Sequence, residues 1–121
     1  MKGLLIIGHG SRSKQAVSEF ETIVGLARTK AVNYAMVAGA HMELAQPAIP
    51  ETVENMVLYG ITDITVVPYF LFNGNHIKQD IPEILDEQKK IYPTISFRFA
   101  NPIGIEALMT DIIINRAQEA E

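Results

Sequence analysis

Cysteine is absent from the 121-residue sequence, and this absence removes a whole group of chemistries at once. Without thiols there are no disulfides, thiolate metal sites, iron-sulfur clusters or cysteine nucleophiles. The side chains that remain to hold a metal ion are those of His, Asp and Glu. Histidine is itself scarce, since the chain has only three.

Long apolar runs and a strong excess of one charge are also missing. The apolar segment behind Met1 is too short for a signal-peptide core or a membrane span. A net charge of -4 creates no general field that would attract nucleic acid or an anionic membrane, so an anionic ligand must be held by local basic groups. We therefore expect a cytoplasmic protein with neither nucleic acid nor a membrane as partner.

The length and the hydrophobic content of 48% fit one compact domain spanning residues 1–121. Within it, four extended apolar segments alternate with segments of helical period. The predicted strands are Leu4 to Gly8, Tyr34 to Ala40, Ile64 to Phe70 and Ile95 to Ala100. The fourth alternates apolar and polar residues, which is typical of an edge strand with one wetter face.

Helices are predicted after each strand. Val17, Phe20, Val24 and Ala27 recur at helical spacing, and a second helix begins near Pro50 and stops at Gly60. Asp80 is the predicted N-cap of the third, with Glu83 three residues later. The fourth should bury a stripe formed by Ile105, Leu108, Met109, Ile112 and Ile113. This order predicts an α/β fold, a four-stranded parallel sheet with helices on both faces.

All three histidines fall at one end of that predicted sheet. His9 and His41 directly follow the first and second strands, and His76 follows the third after a loop. Ligands of open parallel sheets bind beyond the carboxyl ends of the strands. With Glu43, two imidazoles and a carboxylate would make a set able to bind a divalent ion, although no short ligand motif links them. The role of His41 stays open.

Two loops carry further candidates. Gly8 and Gly10 on either side of His9 permit a sharp turn and close approach of a ligand, and Ser11 and Arg12 near the first helix suit an anionic group. The loop before His76 offers apolar surface and backbone freedom to a flat ligand. Its residues are Leu71, Phe72, Asn73, Gly74 and Asn75.

Several enzyme classes lack their usual motif here. The chain has neither a P-loop nor a G-x-G-x-x-G sequence after the first strand, and it has no G-x-S-x-G elbow. A phosphohistidine enzyme with His9 as nucleophile would usually have an arginine before the His-Gly pair, where this sequence has Ile7 and Gly8.

Three segments together resemble the class II tetrapyrrole chelatases, in particular the small sirohydrochlorin cobaltochelatases. They are LLIIGHGSR, HMELAQPAIPETV and PYFLFNGNHIKQDIP, and they span Leu4 to about Pro82 in consistent order. The resemblance implies half of a duplicated chelatase fold, a homodimer, and insertion of Co²⁺, or of Ni²⁺ or Fe²⁺, into sirohydrochlorin without nucleotide or other cofactor. It also implies that His9 and His76 hold the metal, that Glu43 is the site's acid, and that residues 71–75 lie along the substrate.

Metal insertion requires groups that bind the ion and a base that accepts two pyrrole protons. Imidazole, with an ordinary pKa near 6.5, can do either near neutral pH. We expect His9 to bind the ion and take a pyrrole proton, His76 to complete the metal site, and Glu43 to assist proton removal. Arg12, Lys14 and Lys78 are the candidates for the substrate's carboxylates. The alternative is a metal or tetrapyrrole carrier that uses the same pocket without turnover.

Overall fold

Strands and helices alternate along the chain as the sequence predicts. The computed structural model describes residues 1–72, 74 and 76–121, without the side chains of residues 76 and 77. In chain order the elements are β1 (Lys2–Gly8), α1 (Lys14–Lys30), β2 (Met36–His41), α2 (Ile49–Tyr59), β3 (Asp63–Pro68), a π-helical turn (His76–Asp80), α3 (Ile81–Ile91), β4 (Ser96–Phe99) and α4 (Ala107–Ala120). Across these described ranges, none of the helices has the length and hydropathy needed to cross a membrane.

The four strands form one parallel sheet in the order β2-β1-β3-β4, which confirms the predicted fold class. β4 lies at one end of this order, paired with β3, and is an edge strand, also as predicted. The central β1 pairs on both sides, and its Ile7 lies opposite Ala40 of β2 and Pro68 of β3. Because the strand ends are level, the residues that follow β1, β2 and β3 emerge at one edge of the sheet.

Side chains of β1 alternate between two apolar layers, since successive residues of a strand point to opposite faces. Leu5 and Ile7 belong to the larger core, with α2 and α3, whereas Ile6 belongs to a smaller core with Val24 of α1. Helices therefore cover both faces. Burial of one such aliphatic side chain stabilises the fold by about 1.5–3 kcal/mol.

Gly60 and Asp80 lie at the helix ends predicted for them, although the capping at Asp80 differs from the prediction. Gly60 ends α2 in the left-handed conformation, with φ 109°. At the start of α1, the Ser13 hydroxyl accepts a hydrogen bond from the Ala16 amide. Asp80 occupies the N-cap position of α3 as predicted, but its backbone is itself helical and its side chain makes no capping hydrogen bond. The preceding π-helical turn leads directly into α3, so no extended cap residue is needed there.

The predicted burial of the fourth helix is wrong. α4 has no buried residue, and Leu108, Ile112 and Ile113 are exposed. Ile105 precedes the helix and is fully exposed. Helical spacing identified an apolar face, but spacing does not say what covers that face. In the described part of the chain, nothing covers it.

Candidate active site

The chain segment after β2 folds against the turn after β1 and carries Glu43 toward His9. The Met42 amide donates to the Gly8 carbonyl at 2.8 Å, and the Glu43 amide donates to the His9 carbonyl at 3.2 Å. These two bonds continue the pairing of β1 with β2 beyond the sheet edge. The backbone thus fixes the positions of two residues that lie far apart in sequence.

The side chains of His9 and Glu43 meet at this edge. His9 Nε2 lies 3.7 Å from Glu43 Oε1, and each side chain is about half exposed (48% and 49%). The His9 ring is also 6.0 Å from the ring of Phe70, measured between centroids. An imidazole in this position is accessible to a ligand, and the neighbouring carboxylate stabilises the imidazolium that proton uptake would create.

Gly10 is required by the close approach of these two loops. Its φ is 97°, and a β-carbon at this position would overlap the Glu43 carbonyl oxygen. A glycine accepts this conformation without steric cost, whereas other L-residues are strained in it. The glycine after His9 is therefore what allows the Glu43 segment to lie against the turn.

Substitution of Gly10 should destabilise the protein. We expect Gly10→Ala to lower the free energy of unfolding by about 1–3 kcal/mol, because of backbone strain and the clash with the Glu43 segment. Gly25→Ala is the matched control, since an added β-carbon there meets no atom within 4 Å and lies inside α1. The control should gain about 0.5–1 kcal/mol. Urea unfolding measures both, and equal stabilities would refute this view of the turn.

His41 lies at the end of β2 and is buried, with only 2% of its surface exposed. Its ring centroid is 5.0 Å from that of Phe20 on α1. Burial lowers the pKa of His41 below the ordinary value of 6.5, and the nearby carboxylate of Glu21 opposes this shift only in part. His41 is consequently neutral at pH 7.

A cleft of about 560 Å³ opens between α1 and the carboxyl ends of the strands. His9 and His41 both line it, together with the aromatic rings of Phe20 and Tyr69. The Phe20 ring packs closely on the sheet, where β-carbons at Gly8 and Gly39 would approach it to 2.9 and 3.1 Å. The two strand glycines thus make room for an aromatic wall beside His9.

The remaining predicted site residues are placed as follows. Ser11 lies before α1, where its hydroxyl accepts a bond from the Ser13 amide at 3.0 Å, and Arg12 is exposed beside it. Leu71, Phe72 and Gly74 are exposed on the loop after β3.

Asn73, Asn75 and the side chain of His76 lie outside the described residues, so the predicted pairing of His76 with His9 stays a prediction. Within those residues, no group of three His, Asp or Glu side chains is arranged to hold a metal ion.

Sequence reasoning missed three aromatic residues of the site. Phe20 was interpreted as a core residue because of its helical spacing, and Phe70 was included in the third strand. The predicted third strand also includes Tyr69, which in the structure directly follows β3. Its position at the carboxyl edge, next to the strand that delivers His9, is the signal that could have identified it.

Comparison with known proteins decides the family. The CbiX family model matches residues 3–120. The chain belongs to the CbiX family. This membership confirms the resemblance drawn from the three sequence segments. Among curated CbiX relatives, a sirohydrochlorin cobaltochelatase from Methanococcoides burtonii is 37% identical, over 97% of this chain and 95% of its own length.

Other CbiX relatives are about twice as long. The chain is 34% identical to a chloroplastic sirohydrochlorin ferrochelatase from Arabidopsis thaliana, covering 96% of this chain but 51% of the relative. It superimposes with a TM-score of 0.91, at 32% identity, on the sirohydrochlorin chelatase SirB from Bacillus subtilis subspecies spizizenii, crystallised with cobalt. That match covers 98% of this chain and 50% of SirB. The chain therefore spans about half the length of some relatives and nearly the whole length of others.

Proposed function

We propose that this CbiX protein inserts a divalent metal ion into sirohydrochlorin. In the reaction the ion sheds bound water and forms bonds to the four pyrrole nitrogens, while two pyrrole N–H protons leave. The observation that carries the proposal is the pairing of His9 with Glu43, at 3.7 Å, on the open edge of the parallel sheet. The names of relatives that match nearly this whole chain support the same substrate.

The geometry of the two residues supports a role for each. In its neutral form, a half-exposed imidazole can bind an incoming ion through a ring nitrogen, or accept a proton through it. His9 delivers the ion and then takes a pyrrole proton, and the Glu43 carboxylate stabilises the imidazolium at Nε2. His76 is the second metal ligand in this proposal, as the resemblance implies. Ions held by one or two imidazoles keep coordination positions open for the pyrrole nitrogens.

Cobalt is the first choice of metal, with Ni²⁺ and Fe²⁺ as further substrates. All three ions accept imidazole ligands, so the chemistry of the site does not separate them. Curated relatives carry both cobaltochelatase and ferrochelatase names. No resident cofactor or nucleotide is part of the proposal, since metal insertion exchanges one divalent ion for two protons, changes no oxidation state and transfers no phosphoryl group.

Initial rates test this function directly. Purified protein is mixed anaerobically with sirohydrochlorin and Co²⁺, Ni²⁺ or Fe²⁺, with and without ATP, beside a protein-free control, and the macrocycle's absorption is followed. We expect conversion faster than the control, unaffected by ATP and fastest with Co²⁺. A spectral shift on adding tetrapyrrole without any acceleration by metal would instead indicate a carrier.

A homodimer is the second part of the proposal. Sirohydrochlorin is broad compared with a four-stranded sheet, and burying a ligand of this size usually needs two walls. The exposed apolar residues of α4 and the double-length relatives both support a second copy as the missing wall. Arg12, Lys14 and Lys78 are exposed around the site and are available to the substrate's carboxylates.

Sedimentation tests the dimer. Wild-type protein should sediment at twice its monomer mass at assay concentrations, and Ile113→Glu, on the exposed apolar face of α4, should dissociate it. Val32→Glu is the control because Val32 is exposed in the turn after α1, away from α4. A wild-type monomer, or equal behaviour of both variants, would contradict the proposed dimer.

A further inference from the structure

The cleft between α1 and the sheet contains a buried imidazole with unused hydrogen-bonding capacity. In the described part of the chain, the ring nitrogens of His41 have no hydrogen-bond partner, and the ring contacts Phe20. The same part contains no polar side-chain atom that is fully buried without a partner. The small exposed fraction of His41 therefore includes its ring nitrogens, and these face the cleft that His41 lines.

A neutral imidazole carries one N–H donor and one acceptor, and leaving both unpaired in a mostly apolar site costs stability. Among the described residues no group pairs with the ring nitrogens, and the backbone N–H of His41 is itself bonded to the Pro47 carbonyl at 2.9 Å. An unpaired polar group deep in an open cleft is the arrangement expected for a contact with a ligand.

The cleft also has an aromatic lining and lies beside His9, which suits a tetrapyrrole edge. Phe20 and Tyr69, whose ring centroids are 6.1 Å apart, form an aromatic wall, and His9 stands at the same opening. Its volume of about 560 Å³ suits one edge of a large macrocycle. Among the lining residues Glu19 is acidic and accepts a hydrogen bond from the Gln15 amide at 3.1 Å, and the Glu21 carboxylate acts electrostatically on His41 from nearby. An edge of sirohydrochlorin seated here would present its peripheral carboxylates first.

We infer that this cleft binds one edge of the metal-free tetrapyrrole and that the His41 imidazole donates a hydrogen bond to a carboxylate arm. The inference rests on the proposed function for its ligand. His41 is then a substrate-binding residue that contacts neither the metal ion nor the pyrrole nitrogens. It fixes the macrocycle relative to His9.

Anaerobic fluorescence titration of metal-free sirohydrochlorin tests the inference. His41→Phe keeps an aromatic ring against Phe20 and removes the donor, and it should weaken tetrapyrrole binding about tenfold, the loss expected for a hydrogen bond to a charged group. His41→Gln retains a donor and should recover most of the affinity. Thr52→Val is the matched control, because Thr52 is a buried polar residue on α2, on the opposite face of the sheet. Co²⁺ binding by calorimetry should be the same for His41→Phe and the control, and His41→Phe should unfold at or above the wild-type temperature, because it removes an unpaired polar group.

Each result decides between this cleft and another explanation. Unchanged tetrapyrrole affinity in both His41 variants would overturn the inference. A loss of tetrapyrrole affinity that is accompanied by losses of Co²⁺ binding and thermal stability would also overturn it, because this combination indicates a structural role for His41. A changed sedimentation coefficient with unchanged affinity would assign the cleft to a subunit interface. If wild-type protein binds sirohydrochlorin tenfold tighter than His41→Phe but inserts no metal, the proposed function fails and the cleft assignment stands. If wild-type protein does not bind the macrocycle, both fail.

Discussion

His9→Ala should lower kcat for metal insertion at least about 100-fold at saturating metal and saturating sirohydrochlorin. The imidazole both delivers the ion and accepts a pyrrole proton, and positioned proton transfer alone contributes about 10²–10⁴-fold to a rate. His9 is half exposed and lies outside both apolar cores, so its loss should leave the fold intact. Stopped-flow absorption under anaerobic conditions measures the rate.

Asn33→Ala is a suitable control for His9→Ala, because Asn33 is an exposed residue in the turn after α1, remote from the strand ends that carry the site. It should retain the wild-type rate. Equal melting temperatures of both variants and wild type would show that a lower insertion rate results from the missing imidazole and not from unfolding. A His9→Ala rate within threefold of wild type would remove His9 from the reaction.

Glu43→Gln should reduce kcat about tenfold or more while leaving the affinity for sirohydrochlorin within about twofold. The substitution keeps the size of the side chain and the backbone bonds of the segment, but it removes the negative charge 3.7 Å from His9 Nε2. The imidazolium formed during proton transfer then loses its stabilising partner. Steady-state kinetics separate the two parameters.

Glu54→Gln is the matched control for Glu43→Gln, since Glu54 is an exposed carboxylate on α2 and lies outside the site. It should leave kcat and KM unchanged. A wild-type kcat for Glu43→Gln, or an equal loss in both variants, would show that the charge beside His9 has no part in the chemistry.

The sequence predicted the architecture well because burial leaves a clear pattern in parallel strands. Continuous apolar segments predicted β1, β2 and β3, and the alternating segment around Phe97 predicted the edge strand β4. Level strand ends then placed His9 and His41 at one edge of the sheet. Glu43 came to the same edge because the segment after β2 continues the pairing with β1, a contact that no local spacing reveals.

Other features depend on tertiary packing that local patterns do not encode. Phe20 has the spacing of a core residue, yet it borders a cleft because two strand glycines allow it to lie on the sheet. The apolar stripe of α4 looks like a buried face and is exposed. Asp80 has the chemistry of an N-cap, but a helical turn precedes it. In each case the sequence indicates the chemical character of the residue, but it does not show which parts of the fold lie next to that residue.

The turnover number with sirohydrochlorin in tenfold excess over protein is the most direct test of the central claim, that the edge carrying His9 and Glu43 catalyses metal insertion. With excess Co²⁺ under anaerobic conditions, we expect all of the sirohydrochlorin to be converted, well beyond one product per protein chain, and His9→Ala to follow the protein-free rate. Conversion that stops at one macrocycle per chain, or that proceeds equally without His9, would contradict the account.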